Sequence, residues 1–150
     1  MPVNVRRKTY GLAADRRALL TEHAVEDGIG CTLTASAFTG NPGVTDGVVP
    51  ALYPIVVDAA GMATPFAGTT GVPGALSGFT INPVDISNGN DVTGYIWHGA
   101  LDPTLLPVTF DPAAVNAASA PSRSLAFKSW CADAVTGGLL RQEVWVGCRP

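Results

Sequence analysis

The chain has 150 residues, the size of a single domain, and is long enough to bury about two thirds of the surface that its unfolded form exposes. Charged residues make up only 14%, against about a quarter in an average globular protein, and 17 Gly with 12 Pro mark a turn-rich chain. No apolar run approaches the ~20 residues that cross a bilayer, and three cysteines without a C-x-x-C pair argue for free buried thiols over a disulfide framework or a metal cage.

The net charge of −3 is unevenly spread. Residues 1–17 carry Arg6, Arg7, Lys8, Arg16 and Arg17 against Asp15 alone, whereas residues 18–122 hold nine acidic residues and no Lys or Arg. Residues 123–150 return to a basic excess. A basic terminus on an acidic body suggests an arm that reaches for an acidic surface; a terminus kept in water by its own charges has the same composition. The acidic body would repel phosphates, so nucleic acid is not an expected partner. Five cations and no continuous apolar stretch in the first twenty residues give no sign of a secretory leader, and synthesis in the cytoplasm is expected.

Residues 9–27 contain good helix formers, but the apolar spacing from Leu12 to Val25 is irregular, so a short helix and an extended arm both fit. The stretch CTLTASAF, residues 31–38, alternates as a strand does, with Leu33 and Phe38 turned toward apolar neighbours. After the loop GNPGVTDG come short β-branched or aromatic pieces divided by turn residues, with Pro50, Pro54, Pro65 and Pro83 at edges, strand starts or bulges. The Asn88-Gly89 pair signals a hairpin into VTGYIWHGAL. Asp111 and Pro112 read as an N-cap and first helical residue, predicting one short helix over DPAAVNAASA. The tail from SLAFKSW to RQEVWVG reads as two further strands, or a strand and an extended end. The expected fold is mainly β: a small irregular barrel or sandwich with one short helix and an extended N-terminal arm. Its parts are an arm over 1–30, a β core over 31–130 and a C-terminal extension over 131–150.

Little in this pattern points to catalysis. His23 with Glu22 and Glu26 could offer a metal a nitrogen and carboxylates, but no further ligand is near in sequence. His98 with Cys31 and either Asp85 or Asp91 would be the only nucleophile pair with an orienting acid, and no nucleophile-elbow or cysteine-enzyme signature accompanies them. The loop GTTGVPGALSG lacks the Lys and Ser/Thr ending of a phosphate loop. No catalytic residue, metal or cofactor is therefore expected. In VTGYIWHGAL, Val92, Gly94, Ile96 and His98 share one face, and Tyr95, Trp97 and Gly99 share the other. Bulk on both faces suits either an internal core strand or one covered by a partner, with Tyr95, Trp97 and His98 at the contact.

The order of the pieces supports a more specific expectation. PALYPIVVDAAGMATPF, then SGFTINPVDISNGNDVTGYIWHGAL, then Leu106-Pro107, resembles the head decoration proteins of tailed bacteriophages, the lambda-type capsid cement group. The likeness rests on Gly61 to Phe66, Gly78-Phe79 to Asp85, His98-Gly99 and Leu106-Pro107, and covers roughly residues 48–130. Tyr53-Pro54 stands where the family usually has glycine, and residues 131–150 have no counterpart. The resemblance implies a β-tulip-like subunit that is no enzyme. It would bind the major capsid protein as a homotrimer at three-fold and quasi-three-fold positions on the outer surface of the virion head, stabilising the expanded shell against DNA pressure. It also implies an N-terminal segment that joins shell strands, here bearing Arg6, Arg7, Lys8, Tyr10, Arg16 and Arg17. The alternative is a tail or fibre module holding carbohydrate on Tyr95 and Trp97.

Overall fold

The computed structural model describes residues 14–21, 23–69, 71–116, 125–129 and 144–145. In chain order its elements are the one-turn helix α1 (His23–Glu26), strand β1 (Ile29–Leu33), the one-turn helix α2 (Ala35–Phe38), and strands β2 (Val48–Val49), β3 (Pro54–Val57), β4 (Met62–Pro65), β5 (Gly78–Thr80), β6 (Val84–Asp85), β7 (Asp91–Ile96), β8 (Gly99–Leu101), β9 (Leu125–Ser129) and β10 (Val144–Trp145). Two 3-10 turns, Pro103–Leu105 and Pro112–Ala114, lie between β8 and β9.

Five strands close a barrel in the order β1-β4-β3-β5-β7, so the chain is mainly β and takes the barrel form of the two expected. β1 closes it, running parallel to β4 with Thr32 opposite Met62 and antiparallel to β7 with Cys31 opposite Thr93. Closure leaves the barrel no unpaired edge. The two-residue period of a strand then divides inside from outside. Cys31 and Leu33 of β1, Ile55 of β3 and Ala63 of β4 are buried in one cluster with Phe38, Val49, Tyr53, Val84 and Ile86. The most deeply buried polar residue of this interior is Thr80, whose hydroxyl donates to Pro50 O at 2.9 Å and accepts from Tyr53 N at 3.0 Å.

β5 and the end of β7 are buried on both faces. Phe79 and Ile96, opposite each other in register, point away from the barrel interior into a second cluster with Ala18, Ala24, Leu76, Leu101, Phe110 and Leu125. Phe79 meets Phe110 edge-on at 5.3 Å and Phe127 at 6.2 Å, and Phe110 lies 5.3 Å from Phe127. This outer cluster is roofed by a second sheet, β10-β9-β8, in which β8 and β9 are parallel. Gly78 is required by close approach: a Cβ there would collide with the Ile96 carbonyl oxygen and stand 2.8 Å from the Tyr95 ring.

Several sequence expectations are corrected. Residues 31–38 are not one strand; β1 ends at Leu33, and α2 turns Phe38 into the barrel interior, so both Leu33 and Phe38 are buried as expected. The Asn88-Gly89 turn does not make a hairpin, because β6 pairs with β2 and leaves β7 to β1 and β5. Asp111 does cap a turn, accepting from Ala113 N at 2.9 Å, but the turn is 3-10 and ends at once. Ala114 O accepts from Gly74 N and Asn116 N donates to Gly74 O, both at 2.8 Å, so the chain pairs with Gly74 instead of continuing a helix. The body also starts before residue 31: Leu20 N donates to Ala100 O and Asp102 N to Ala18 O, which lays residues 18–20 along β8. At the other end, β10 pairs with β9, so Val144 and Trp145 of the C-terminal extension join the body's second sheet. The rest of residues 131–150, with Cys131 and Cys148, lies outside the described residues.

Candidate functional site

Strand β7 cannot continue into β8 as one strand because the chain turns at Gly99, whose φ of +121° is one that L side chains rarely adopt, and a Cβ there would lie 2.8 Å from Ala24 Cβ. Trp97 and His98 occupy this break and pack on the segment after α1. Trp97 Nε1 donates to Asp27 O at 3.2 Å, the Trp97 and His98 rings are 4.5 Å apart, and His98 Nε2 lies 3.6 Å from Asp27 Oδ2. The trio clamps α1 to the end of β7. Tyr95 is elsewhere, packed against the barrel-interior cluster, where burial raises its phenol pKa and the Cys31 thiol adds to the rise. Tyr95 and Trp97 thus belong to different surroundings, one to the barrel interior and one to a half-exposed clamp.

The acid–nucleophile combination is not assembled. Burial pushes the Cys31 thiol up to about 11, which disfavours the reactive thiolate. Asp85 accepts from Ser87 N at 2.8 Å, closing a local turn, and Asp91 from the adjacent Val92 N at 2.8 Å at the start of β7, while His98 faces Asp27. Among the described residues, no group of three or more His, Cys, Asp and Glu is placed to hold a metal.

The N-terminal cations fall into two sets. Arg6, Arg7, Lys8 and Tyr10 lie outside the described residues. Arg16 is a staple within the body and not an outward-reaching arm cation: its Nε donates to Ile81 O at 3.2 Å and its guanidinium to Asn82 Oδ1 at 2.7 Å. Arg17 is exposed and forks onto Asp15, with the shortest contact at 2.7 Å, holding that carboxyl at about 2 through the side-chain hydrogen bond first and the backbone one second.

What the barrel does present is an uncharged outer wall. Met62, Thr32 and Val92 lie side by side across β4, β1 and β7, and Val56 lies opposite Thr64 on the next strand pair. Val92 is 70% exposed, and no charged side chain interrupts either row. Sequence reading placed Val92 on the face of Ile96 but not in a contact surface. The two separate because the second sheet covers that face only at the Ile96 end. A comparison with protein-family models, with curated proteins and with solved structures found no match.

Proposed function

We propose that this chain is a structural decoration protein of a phage head, binding the major capsid protein from outside as a trimer at three-fold and quasi-three-fold positions and bracing the expanded shell. The observation that carries the reading is the order of the motif pieces, which fall on turns and packing positions of the barrel and of the segments that follow it. Gly61 lies in the turn between β3 and β4; Gly78 and Phe79 form the doubly buried strand; His98-Gly99 is the break into β8; Leu106-Pro107 follows the first 3-10 turn. A cement protein needs shape-matched, weakly charged surfaces, and the Met62–Thr32–Val92 row supplies one for subunit contact. Residues 1–13, with Arg6, Arg7 and Lys8, are the segment that adds to shell strands.

Co-sedimentation with expanded heads lacking their decoration tests this. The wild-type chain should pellet with the heads and raise the temperature at which they release DNA. Changing Arg6, Arg7 and Lys8 to Gln should weaken binding most at low salt, because the screening length falls from about 10 Å at 0.1 M to roughly 3 Å at 1 M. Full-strength binding by this variant would remove the arm from the mechanism, and no binding by the wild type would remove the function.

A further inference from the structure

Beside β2 lies a groove of about 430 Å³, lined by residues drawn from the stretch 43–51 and by Pro83, Leu105 and Pro107, with Asp15. Its lining is mostly apolar, through Val48, Pro50, Pro83, Leu105 and Pro107, and Leu105 is 49% exposed. Among the described residues, its charged lining residues are both acidic, Asp15 and Asp46. Asp15 is already matched by Arg17. Asp46 has no hydrogen-bond or ion-pair partner among the described residues, and it is held with a φ of +52°, a left-handed backbone unfavourable for most residues with a side chain. The groove thus offers an apolar floor and one uncompensated carboxylate.

We propose that this groove holds the chain's own N-terminal segment, residues 1–13. Two observations select that occupant. The segment joins the described body at Ala14, next to Asp15 in the groove lining, so it is tethered where it would dock. Its sequence also complements the groove: Val3 and Val5 fall on one side of an extended chain, Arg6, Arg7 and Lys8 follow at once, and no acidic residue occurs in residues 1–13. The seven residue-to-residue steps from Lys8 to Asp15 span up to about 25 Å when extended, enough to fold back over a groove of this size. Tethering sets a local concentration of about millimolar order, so a weak contact suffices to keep the groove filled. Docking does not depend on what the protein binds. Its consequence does rest on the proposed function: a parked arm would compete with the shell for the same cations, and release would accompany capsid binding.

The test is made on the isolated full-length chain without heads, so it fails or succeeds independently of capsid binding. Backbone amide resonances are compared between the wild type and the full-length R6E/R7E/K8E variant. The amides of Thr45, Asp46, Gly47, Val48, Ala51 and Leu105 should shift, while those of Gly30 and Thr32 on the outer wall stay in place. In a second chain, Asp46→Asn keeps a residue that accepts left-handed backbone but removes the charge; it should move the resonances of residues 3–8 toward their positions in 1 M salt. Tenfold dilution should leave the wild-type spectrum unchanged. Unmoved groove amides in the charge-reversed chain would overturn the proposal. Groove shifts that fade on dilution would also overturn it, by assigning the groove to the arm of a second copy.

Discussion

The two apolar clusters of this protein are built in different ways. The barrel interior draws its buried side chains from one stretch of chain, residues 31–86, although only β3 and β4 among its paired strands follow each other directly. The outer cluster gathers Ala18 and Ala24 from one end of the chain, Phe79 and Ile96 from the barrel wall, and Leu125 from the other end. A five-strand barrel of short strands has too small an interior to bury much area by itself, so the second cluster adds a core on the outside of one wall. The lesson is that residues 18–20 and Ala24 are part of the body: Ala18 and Ala24 share the cluster of Phe79 and Ile96, and residues 18–20 lie along β8.

The largest expected effect lies in the outer cluster. Phe79→Ala should cost about 3–5 kcal/mol, since it removes a fully buried ring that packs against the rings of Phe110 and Phe127. Denaturant unfolding would read this as a lower midpoint. Peptide-mapped alkylation of Cys31, on the opposite face of the barrel wall, should stay slow in native buffer. Fast labelling there would show that the two clusters are one.

A barrel-interior change comes next. Thr80→Val keeps the shape but deprives Tyr53 N and Pro50 O of their partner, and should cost about 1–3 kcal/mol. If its cost falls near zero, the interior is wetter than the buried cluster implies.

Asp102 sharpens the contrast by pH. Its carboxylate accepts from Thr104 Oγ1 at 2.6 Å and Thr104 N at 3.0 Å and lies 3.6 Å from Lys128 Nζ. The Thr104 hydroxyl, foremost, and Lys128 hold its pKa below the ordinary carboxyl value. A lowered folded-state pKa means the stabilisation is complete above the unfolded value of about 3.9 and is lost as pH falls through the folded one. Asp102→Ala should therefore cost about 0.5–2 kcal/mol at pH 7, and the gap to wild type should narrow in acid. A gap that stays constant with pH would assign the cost to packing. Smallest of all, Arg17→Gln should leave the melting temperature unchanged, because Arg17 and Asp15 are both exposed.

Much of the barrel was legible, because alternation and proline placement report directly on strands that bury one face. Leu33 points inward as the alternation of its strand predicts, Phe38 is buried only because α2 turns it inward, and Pro54 starts its strand. What escaped were features decided by contacts far along the chain. Asn88-Gly89 is a hairpin signal, but Val84 and Asp85 find Val49 and Val48 first. The DPAAV start has its cap, yet Gly74 supplies backbone partners that end the helix. Trp97 and His98 read as strand residues, and the positive φ at Gly99 places them in a clamp on Asp27 instead. Arg16 looked like an arm cation because its partners, Ile81 and Asn82, lie over sixty residues away.

Reconstruction of expanded heads by electron cryomicroscopy, with and without this protein added, tests the central claim most directly. The account predicts difference density on the outer surface as three barrels around each three-fold and quasi-three-fold position, with the Met62–Thr32–Val92 wall facing a neighbouring copy and residues 1–13 extending onto the shell. Heads without added density, or density as single subunits away from those positions, would contradict it.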